Sequence, residues 1–281
     1  MENAMVVDTH EQVLEESKDD EEEEDEDDQS HDENESLIFA IRRHYMSQKK
    51  RNMHFPSTLR CYRVQAIVGK GAFGKVALAI QRLTKKPVAI KMIDKTTLQP
   101  GQIEKVRSEV ALMSAIRHKH IIRLLEVFES SNHMYMVFEY AAGGDLLQLV
   151  KKKRCLTESE ARKIFRQVVY GIAHCHCRSV LHRDIKLDNI LLDEKNHVKV
   201  CDFGISRTIE NLSEPVLEQC GTPAYIAPEI LYEDGYKGFK SDIWGMGVLL
   251  YAMVTGTVPF RAQNMRELKY VISAGHFSFP I

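Results

Sequence analysis

A glycine-rich turn between two predicted strands is the feature that most restricts the possible fold. Residues 69–76 read GKGAFGKV, and alternating apolar residues at 62–68 and 76–80 predict a strand on either side. Glycines let a backbone approach phosphates closely and direct its N–H groups towards them. A dinucleotide-binding fold needs a helix after such a turn, whereas here a second strand follows. The pattern therefore favours a hairpin that covers phosphates over a dinucleotide-binding turn.

The character of the sequence changes from strands to helices near Gly143 and Gly144. The elements predicted before this point are strands at 88–93, 124–129 and 134–139 and a helix at 102–116. After it, the capping-box sequence TESE at 157–160 opens a helix, and residues 241–254 are so apolar that they predict a buried helix. This order predicts an α+β protein with a small β-rich lobe and a larger helical lobe.

Charged residues divide the chain into three regions. Residues 1–36 contain eighteen Asp or Glu and one Lys, a formal charge of about −17, although the whole chain carries only −2. Such a segment lacks the apolar surface that would offset the entropy cost of ordering it, which predicts a disordered acidic tail. Residues 37–60 are basic and predict a linker or a short helix, with a partner-binding segment as the alternative. Residues 61–281 are predicted to form the folded domain.

The cysteines and the N-terminus predict an intracellular protein, in the cytoplasm or the nucleus. The six cysteines lack the spacing of a disulfide framework, which is typical of reducing compartments. The first residues show neither the basic nor the apolar region of a secretory signal. No apolar run approaches the roughly 18–20 residues of a membrane span, so no membrane partner is expected.

A lysine within an apolar predicted strand indicates a second functional position. Lys91 ends the sequence VAIK, and burial of an unpaired ammonium group is costly. A lysine at the sheet edge whose amine reaches water is the alternative. Glu109 lies eighteen residues later in the predicted helix. An ion pair between the two residues would hold the amine against the α- and β-phosphates of a nucleotide.

Three short motifs in the second half carry the residue types that phosphoryl transfer requires. They are HRDIKLDN at 182–189, DFG at 202–204 and APE at 227–229. The reaction needs oxygen ligands for metal ions and an acceptor for the proton of the attacking hydroxyl. Asp184 supplies the acceptor, and Lys186 can neutralise the moving phosphate. Asn189 and Asp202 supply the hard oxygen ligands that Mg²⁺ favours.

In this order and at these distances, the motifs resemble the signature of the eukaryotic Ser/Thr protein kinases. The resemblance extends from about Tyr62 to the end of the sequence. Lys186, two residues after Asp184, and the sequence GTP at 221–223 are similar to Ser/Thr rather than Tyr kinases. Residues 247–260 are similar to the calmodulin-dependent and AMP-activated group. The resemblance implies a two-lobed enzyme that transfers the γ-phosphoryl of ATP, with Mg²⁺, to protein hydroxyls.

The resemblance also implies roles for individual residues. The catalytic residues would be Asp184, Lys186, Lys91 and Glu109. The nucleotide would contact Val68, Gly69, Lys70, Gly71, Ala72, Phe73, Gly74, Lys75, Val76, Lys91, Glu139, Ala141 and Asp145. Asn189 and Asp202 would bind Mg²⁺. Asp145 and Asp188 match family positions that face the substrate, so protein substrates with one basic residue upstream of the target are expected. No nucleic-acid partner is implied, and the oligomeric state stays open.

Two features of the sequence complicate this interpretation. The residues HCHC at 174–177 suggest a metal cluster, but adjacent residues of a helix point to different faces, so core packing is expected instead. The sequence ends at Ile281, before the helices with which family members continue. We therefore expect a truncated helical lobe or a gene fragment. An inactive pseudokinase or scaffold is the alternative function.

Glu218 is the departure with the clearest functional consequence. Counted back from the APE motif, it falls where the AMP-activated relatives carry their activating Thr. A permanent negative charge there would pair with Arg183 and Arg207 in place of a phosphate, although more weakly. The alternative is that Glu218 is merely solvated and that Ser213 or Thr222 is the phosphorylated residue.

Overall fold

The computed structural model describes residues 57–71, 74–209, 215–231 and 235–279. The predicted acidic region 1–36 and most of the basic region 37–60 lie outside the described residues. Residues Ser57–Cys61, at the end of the basic region and the start of the predicted domain, form a short 3₁₀ helix.

An antiparallel five-stranded sheet forms the first part of the fold. Its strands are β1 (Tyr62–Gly71), β2 (Gly74–Gln81), β3 (Pro87–Asp94), β4 (Leu124–Glu129) and β5 (His133–Glu139), in the order β1-β2-β3-β5-β4. Helix α1 (Gln102–Ala115) packs on this sheet, where its Val106 joins Ile93, Met134 and Met136 in a buried cluster. The predicted strands and helix of this lobe are confirmed.

Helices dominate the second part. They are α2 (Leu146–Lys153), α3 (Glu158–His176), α4 (Gly238–Thr255) and α5 (Met265–Ala274). Between α3 and α4 the chain forms short strands, which are β7 (Val180–Leu181), β8 (Ile190–Leu192), β9 (Val198–Val200) and β10 (Arg207–Thr208), while β6 (Gly144–Asp145) precedes α2. The sheet β6-β8-β9 and the pair β10-β7 hold the loops of the candidate site between them. Residues such as Val150, Val168, Val200 and Leu249 form the core beneath this sheet.

A local signal marks the beginning of α3 but not that of α4. Thr157 and Glu160 form the predicted capping box at the start of α3. Helix α4 begins at Gly238, three residues before the predicted Ser241, and its N-cap, Lys237, makes no side-chain capping hydrogen bond. A Cβ at Gly238 would lie 1.9 Å from Leu181 Cδ1 of β7, so glycine lets the first turn of α4 approach this side chain closely. In the part of the chain that the structure describes, no helix has both the length and the apolarity to cross a bilayer.

Candidate active site

Lys91 of β3 forms the predicted ion pair with Glu109 of α1. Lys91 Nζ lies 2.7 Å from Glu109 Oε1, and the two side chains are 12% and 3% exposed. The alternative of a solvated edge lysine is therefore wrong, since Lys91 pairs with β2 and β5 on its two sides, opposite Val76 and Met136. The pair fixes α1 against the middle of the sheet. Breaking such a buried pair leaves an uncompensated charge, which is strongly destabilising.

The glycine-rich segment forms the predicted hairpin. Gly69 lies opposite Val76 and Gly71 lies opposite Gly74, so the segment joins two paired strands rather than a strand and a helix. Ala72 and Phe73 at its tip lie outside the described residues. A Cβ at Gly74 would be 1.8 Å from the carbonyl oxygen of Met92. Glycine is thus required here for close packing of β2 on β3.

Asp242 of α4 holds the backbone of the loop that carries Asp184. Its two carboxylate oxygens accept hydrogen bonds from the backbone N–H groups of His182 at 3.0 Å and Arg183 at 2.8 Å. Arg183 has a left-handed backbone with φ of 67°, which is strained for a residue with a side chain and needs such support. Asp242 is itself buried. The helix thereby fixes the position of Asp184 through its backbone.

The Asp184 carboxylate is surrounded by donors on both oxygens. Oδ2 accepts from Lys186 Nζ at 2.8 Å and Asn189 Nδ2 at 3.0 Å. Oδ1 accepts from Thr222 Oγ1 at 2.7 Å and from its backbone N–H at 3.1 Å. Burial opposes ionisation, but the hydrogen bonds from Lys186 and Thr222 outweigh it and lower the pKa of Asp184. Asp184 is therefore an ionised acceptor at neutral pH.

Asn189 and Asp202 come together at the start and end of the β8–β9 pair. The backbone N–H of Cys201, next to Asp202, donates to the carbonyl oxygen of Asn189 at 2.9 Å. Asn189 Nδ2 also donates to the backbone carbonyl oxygen of Asp184 at 2.8 Å. The amide oxygen of Asn189 is therefore the atom available to a cation. Asp202 is exposed and contributes a carboxylate. Hard oxygen donors of this kind fit Mg²⁺, which takes only one or two protein carboxylates and completes its shell with phosphates and water.

The Glu139 carboxylate at the end of β5 makes two contacts. Oε1 accepts from the backbone N–H of Arg123 at 2.8 Å, and Oε2 lies 3.1 Å from Lys199 Nζ of β9. Ala141, two residues further, packs with Phe138 against the buried cluster that contains Phe203. Sequence analysis did not find Lys199, because no motif marks it.

Asp145 has a local structural role in addition to its predicted one. It is the N-cap of α2, where Oδ1 accepts from the backbone N–H of Gln148 at 2.8 Å and Oδ2 accepts from Gln148 Nε2 at 2.7 Å. Both oxygens are therefore held at the start of the helix, beside β8, to which β6 pairs.

A match to a known protein family identifies the family of this chain. The protein kinase domain pattern matches residues 62–279, which is most of the chain. This chain belongs to the protein kinase domain family. The predicted α+β kinase fold is thus confirmed, and proteins of this family use ATP and Mg²⁺.

Four curated relatives of the kinase domain come from plants and vertebrates. CBL-interacting protein kinases 14 and 15 of Oryza sativa subsp. japonica are each 43% identical over 222 residues, which cover 78% of this chain. The Serine/threonine-protein kinase SIK3 homolog of Danio rerio and Serine/threonine-protein kinase SIK2 of Gallus gallus are each 40% identical, over 219 and 225 residues, or 78% and 80% of this chain. The matches cover 51% of each rice protein, 18% of the SIK3 homolog and 28% of SIK2. They confirm the resemblance to the calmodulin-dependent and AMP-activated group.

In this kinase domain, Glu218 contacts the arginine that precedes Asp184. Glu218 Oε2 lies 2.7 Å from Arg183 Nη1, with side-chain exposures of 62% for Glu218 and 7% for Arg183. The hydrogen bond from Arg183 lowers the pKa of Glu218, and the charge of Arg207 adds to this effect. The Glu218 carboxylate is therefore bound by Arg183, and the alternative that it is merely solvated is wrong. Ser213 lies outside the described residues, and the Thr222 hydroxyl is bonded to Asp184.

The HCHC sequence of the kinase domain does not converge on one point. His176 Nε2 lies 2.8 Å from Asp242 Oδ2, whereas the ring of His174 stacks on His118 with centroids 4.7 Å apart. Cys175 is buried and Cys177 is exposed. Among the described residues, no three His, Cys, Asp or Glu side chains are grouped to hold a metal ion. The four side chains thus lie in different surroundings, as predicted for adjacent positions of a helix, and only Cys175 among them is fully buried.

Proposed function

We propose that this kinase domain is an active Ser/Thr protein kinase that transfers the γ-phosphoryl group of ATP to Ser and Thr hydroxyls of proteins. The observation that carries the proposal is the position of the Thr222 hydroxyl. Its oxygen lies 2.7 Å from Asp184 Oδ1 and 2.8 Å from Lys186 Nζ. An alcohol thus fits between an ionised proton acceptor and a cation, which is the arrangement that a substrate hydroxyl requires.

Asp184 orients the substrate hydroxyl and accepts its proton, and Lys186 stabilises negative charge on the transferred group. ATP with Mg²⁺ supplies the phosphoryl group and neutralises its charge when bound. Asn189 and Asp202 would hold the metal through their side-chain oxygens. The low pKa of Asp184 keeps the carboxylate ionised, which a proton acceptor requires.

Nucleotide binding is assigned to the hairpin, the Lys91–Glu109 pair and the segment after β5. The β1–β2 hairpin, Val68 to Val76, would cover the phosphates, while Lys91 would contact them, held in place by Glu109. Glu109 Oε2 is buried and has no hydrogen-bond partner among the described residues. An unpaired buried oxygen of this kind is costly, which supports a site that is completed by a ligand. Glu139 and Ala141 would present backbone groups to the adenine.

We further propose protein substrates with a basic residue upstream of the target hydroxyl. Asp188 is exposed beside the catalytic loop and can pair with such a residue. Asp145 is a weaker candidate for this contact than expected, since both of its oxygens bind Gln148. An intracellular location, in the cytoplasm or the nucleus, is inferred from the cysteines. None of the cysteines in the described residues forms a disulfide, as is typical of proteins in reducing compartments.

Phosphoryl transfer to peptides tests this function. Peptides with Ser, Thr or Tyr as the sole acceptor and one upstream Arg would be incubated with labelled ATP, with and without Mg²⁺. We expect Mg²⁺-dependent labelling of the Ser and Thr peptides. ATP binding without labelling of any peptide would support the pseudokinase alternative, and labelling of the Tyr peptide alone would contradict the proposed acceptor class.

A further inference from the structure

Glu139 links two parts of the chain that lie on either side of the proposed nucleotide site. It ends β5, immediately before the segment that leads to α2. Its Oε1 accepts from the Arg123 N–H at 2.8 Å, and its own backbone N–H donates to the Arg123 carbonyl oxygen at 3.0 Å. Its Oε2 is 3.1 Å from Lys199 Nζ. The carboxylate thus joins the start of β4 to strand β9 of the helical lobe.

Strand β9 also carries a main-chain connection to the segment before β4. The backbone N–H of Val200 donates to the carbonyl oxygen of His120 at 2.8 Å, and the N–H of Ile122 donates to the Val200 carbonyl at 2.9 Å. Val198 and Val200 are buried, whereas Lys199 between them is partly exposed, because successive side chains of a strand alternate between faces. Lys199 therefore reaches Glu139 from the face of β9 opposite to the core.

The Lys199–Glu139 pair is shielded enough from water to affect the position of this segment. The side chains of Lys199 and Glu139 are only 17% and 30% exposed. Pairs in such positions are less screened by salt than exposed ones. The second carboxylate oxygen of Glu139 is fixed by Arg123, so little side-chain freedom remains to oppose the contact.

We propose that Lys199 is a positioning residue for ATP, which acts through Glu139 on the backbone of residues 139–141. This inference rests on the proposed function, since it assumes that these backbone groups bind the adenine. Lys199 lies three residues before Asp202, so the same short strand leads to the metal site and restrains the adenine site. A site held in its bound conformation avoids part of the ordering cost of binding. Loss of the pair should therefore weaken nucleotide binding without changing the chemical step.

Substitution of Lys199 separates this role from a purely structural one. Lys199→Met removes the charge and keeps most of the apolar stem, and Lys199→Arg restores a cation. Lys195→Met is the matched control, because Lys195 is an exposed lysine in the turn before β9. We expect Lys199→Met to raise both the Kd for ATP-Mg and the KM for ATP about fivefold, with kcat nearly unchanged. Lys199→Arg should recover most of the affinity, and Lys195→Met should resemble the unchanged protein.

Hydrogen exchange without nucleotide gives a second test that does not depend on the proposed function. The amide hydrogens of Arg123 and Glu139 should exchange faster in Lys199→Met than in Lys195→Met. Faster exchange in a protein that binds no ATP would refute the proposed function and leave the link between β9 and Glu139 intact. Unchanged exchange together with an unchanged Kd would overturn the inference. A lower melting temperature with an unchanged Kd would also overturn it, since Lys199 would then be only structural.

Discussion

Arg183, which immediately precedes Asp184, forms a direct ion pair with Glu218 in which Nη1 lies 2.7 Å from Oε2. The same guanidinium donates through Nε to the carbonyl oxygen of Ile205 at 2.5 Å. Burial disfavours the charge on Arg183, but the hydrogen bond to Glu218 and the electrostatic effect of neighbouring acidic groups together outweigh burial and raise the pKa of Arg183. One arginine thus connects the loop of Asp184 with two positions of the segment that follows DFG.

This ion pair predicts kinase activity without phosphorylation of the segment. A phosphate orders such segments by pairing with arginines, and Glu218 supplies a permanent, weaker charge at the same arginine. Protein treated with phosphatase should keep most of its activity. Glu218→Ala should lower kcat/KM about three- to fivefold, since a partly exposed pair contributes at most about 1 kcal/mol. Initial rates on a Ser peptide measure both effects.

Two further variants complete this test. Glu218→Thr should make activity depend on an upstream kinase. Glu194→Ala, which removes an exposed glutamate from the turn before β9, is the control and should leave the rate unchanged. If phosphatase abolished activity and Glu218→Ala had no effect, Glu218 would not replace a phosphate.

The Lys91–Glu109 pair allows stability and catalysis to be separated. Lys91→Met leaves the Glu109 carboxylate buried without its cation, so the variant should lose both activity and about 3 kcal/mol of stability. In Lys91→Met/Glu109→Leu the charge is gone as well, and unfolding in urea should show that much of the stability returns while activity stays lost. A double variant as unstable as the single one would mean that the lost packing of Lys91, rather than the unpaired charge, causes the instability.

The histidines near the start of β4 predict that stability falls in mild acid. The ring of His118 lies between those of His174 and His120, with centroids 4.7 Å and 5.4 Å away. Burial lowers the pKa of His118 and His120 from 6.5 to about 4, and it also lowers the pKa of His174. The neighbouring charges of Lys119 and Arg178 act in the same direction.

Because the unfolded chain binds these protons more readily, their stabilising contribution is complete above about pH 6.5 and is lost as the pH falls towards 4. Melting temperatures should therefore drop by several degrees between about pH 7.5 and about pH 5. His174→Phe keeps an aromatic ring in the stack and removes one titrating group, so its melting temperature should depend less on pH. Equal slopes for both proteins would show that this cluster does not control the pH dependence.

Sequence patterns predicted the elements and residues whose signals are local or belong to motifs. The strands around Lys91, the helix of Glu109 and the capping box of Thr157 were predicted correctly for this reason. The beginning of α4 was misplaced by three residues, because its N-cap, Lys237, makes no side-chain capping hydrogen bond and so gives no local signal.

Contacts between distant polar side chains could not be predicted in the same way. Lys199 and Glu139 are separated by β6 to β8 and two helices, and no motif includes Lys199. The Thr222 hydroxyl bonds to Asp184 over a separation of 38 residues, although the sequence suggested Thr222 only as an alternative phosphorylation site. Such pairs depend on the packed fold and not on local periodicity.

Asp184→Asn tests the proposed chemistry most directly. The amide has nearly the shape of the carboxylate and can keep a hydrogen bond to Thr222, but it cannot accept the proton of the substrate hydroxyl. The Kd for ATP-Mg and the rate of phosphoryl transfer to a Ser peptide would be measured on the same preparation. We predict an unchanged Kd and a rate lower by about 10²- to 10⁴-fold. Transfer at a rate close to that of the unchanged protein would contradict the assignment of Asp184 as the proton acceptor.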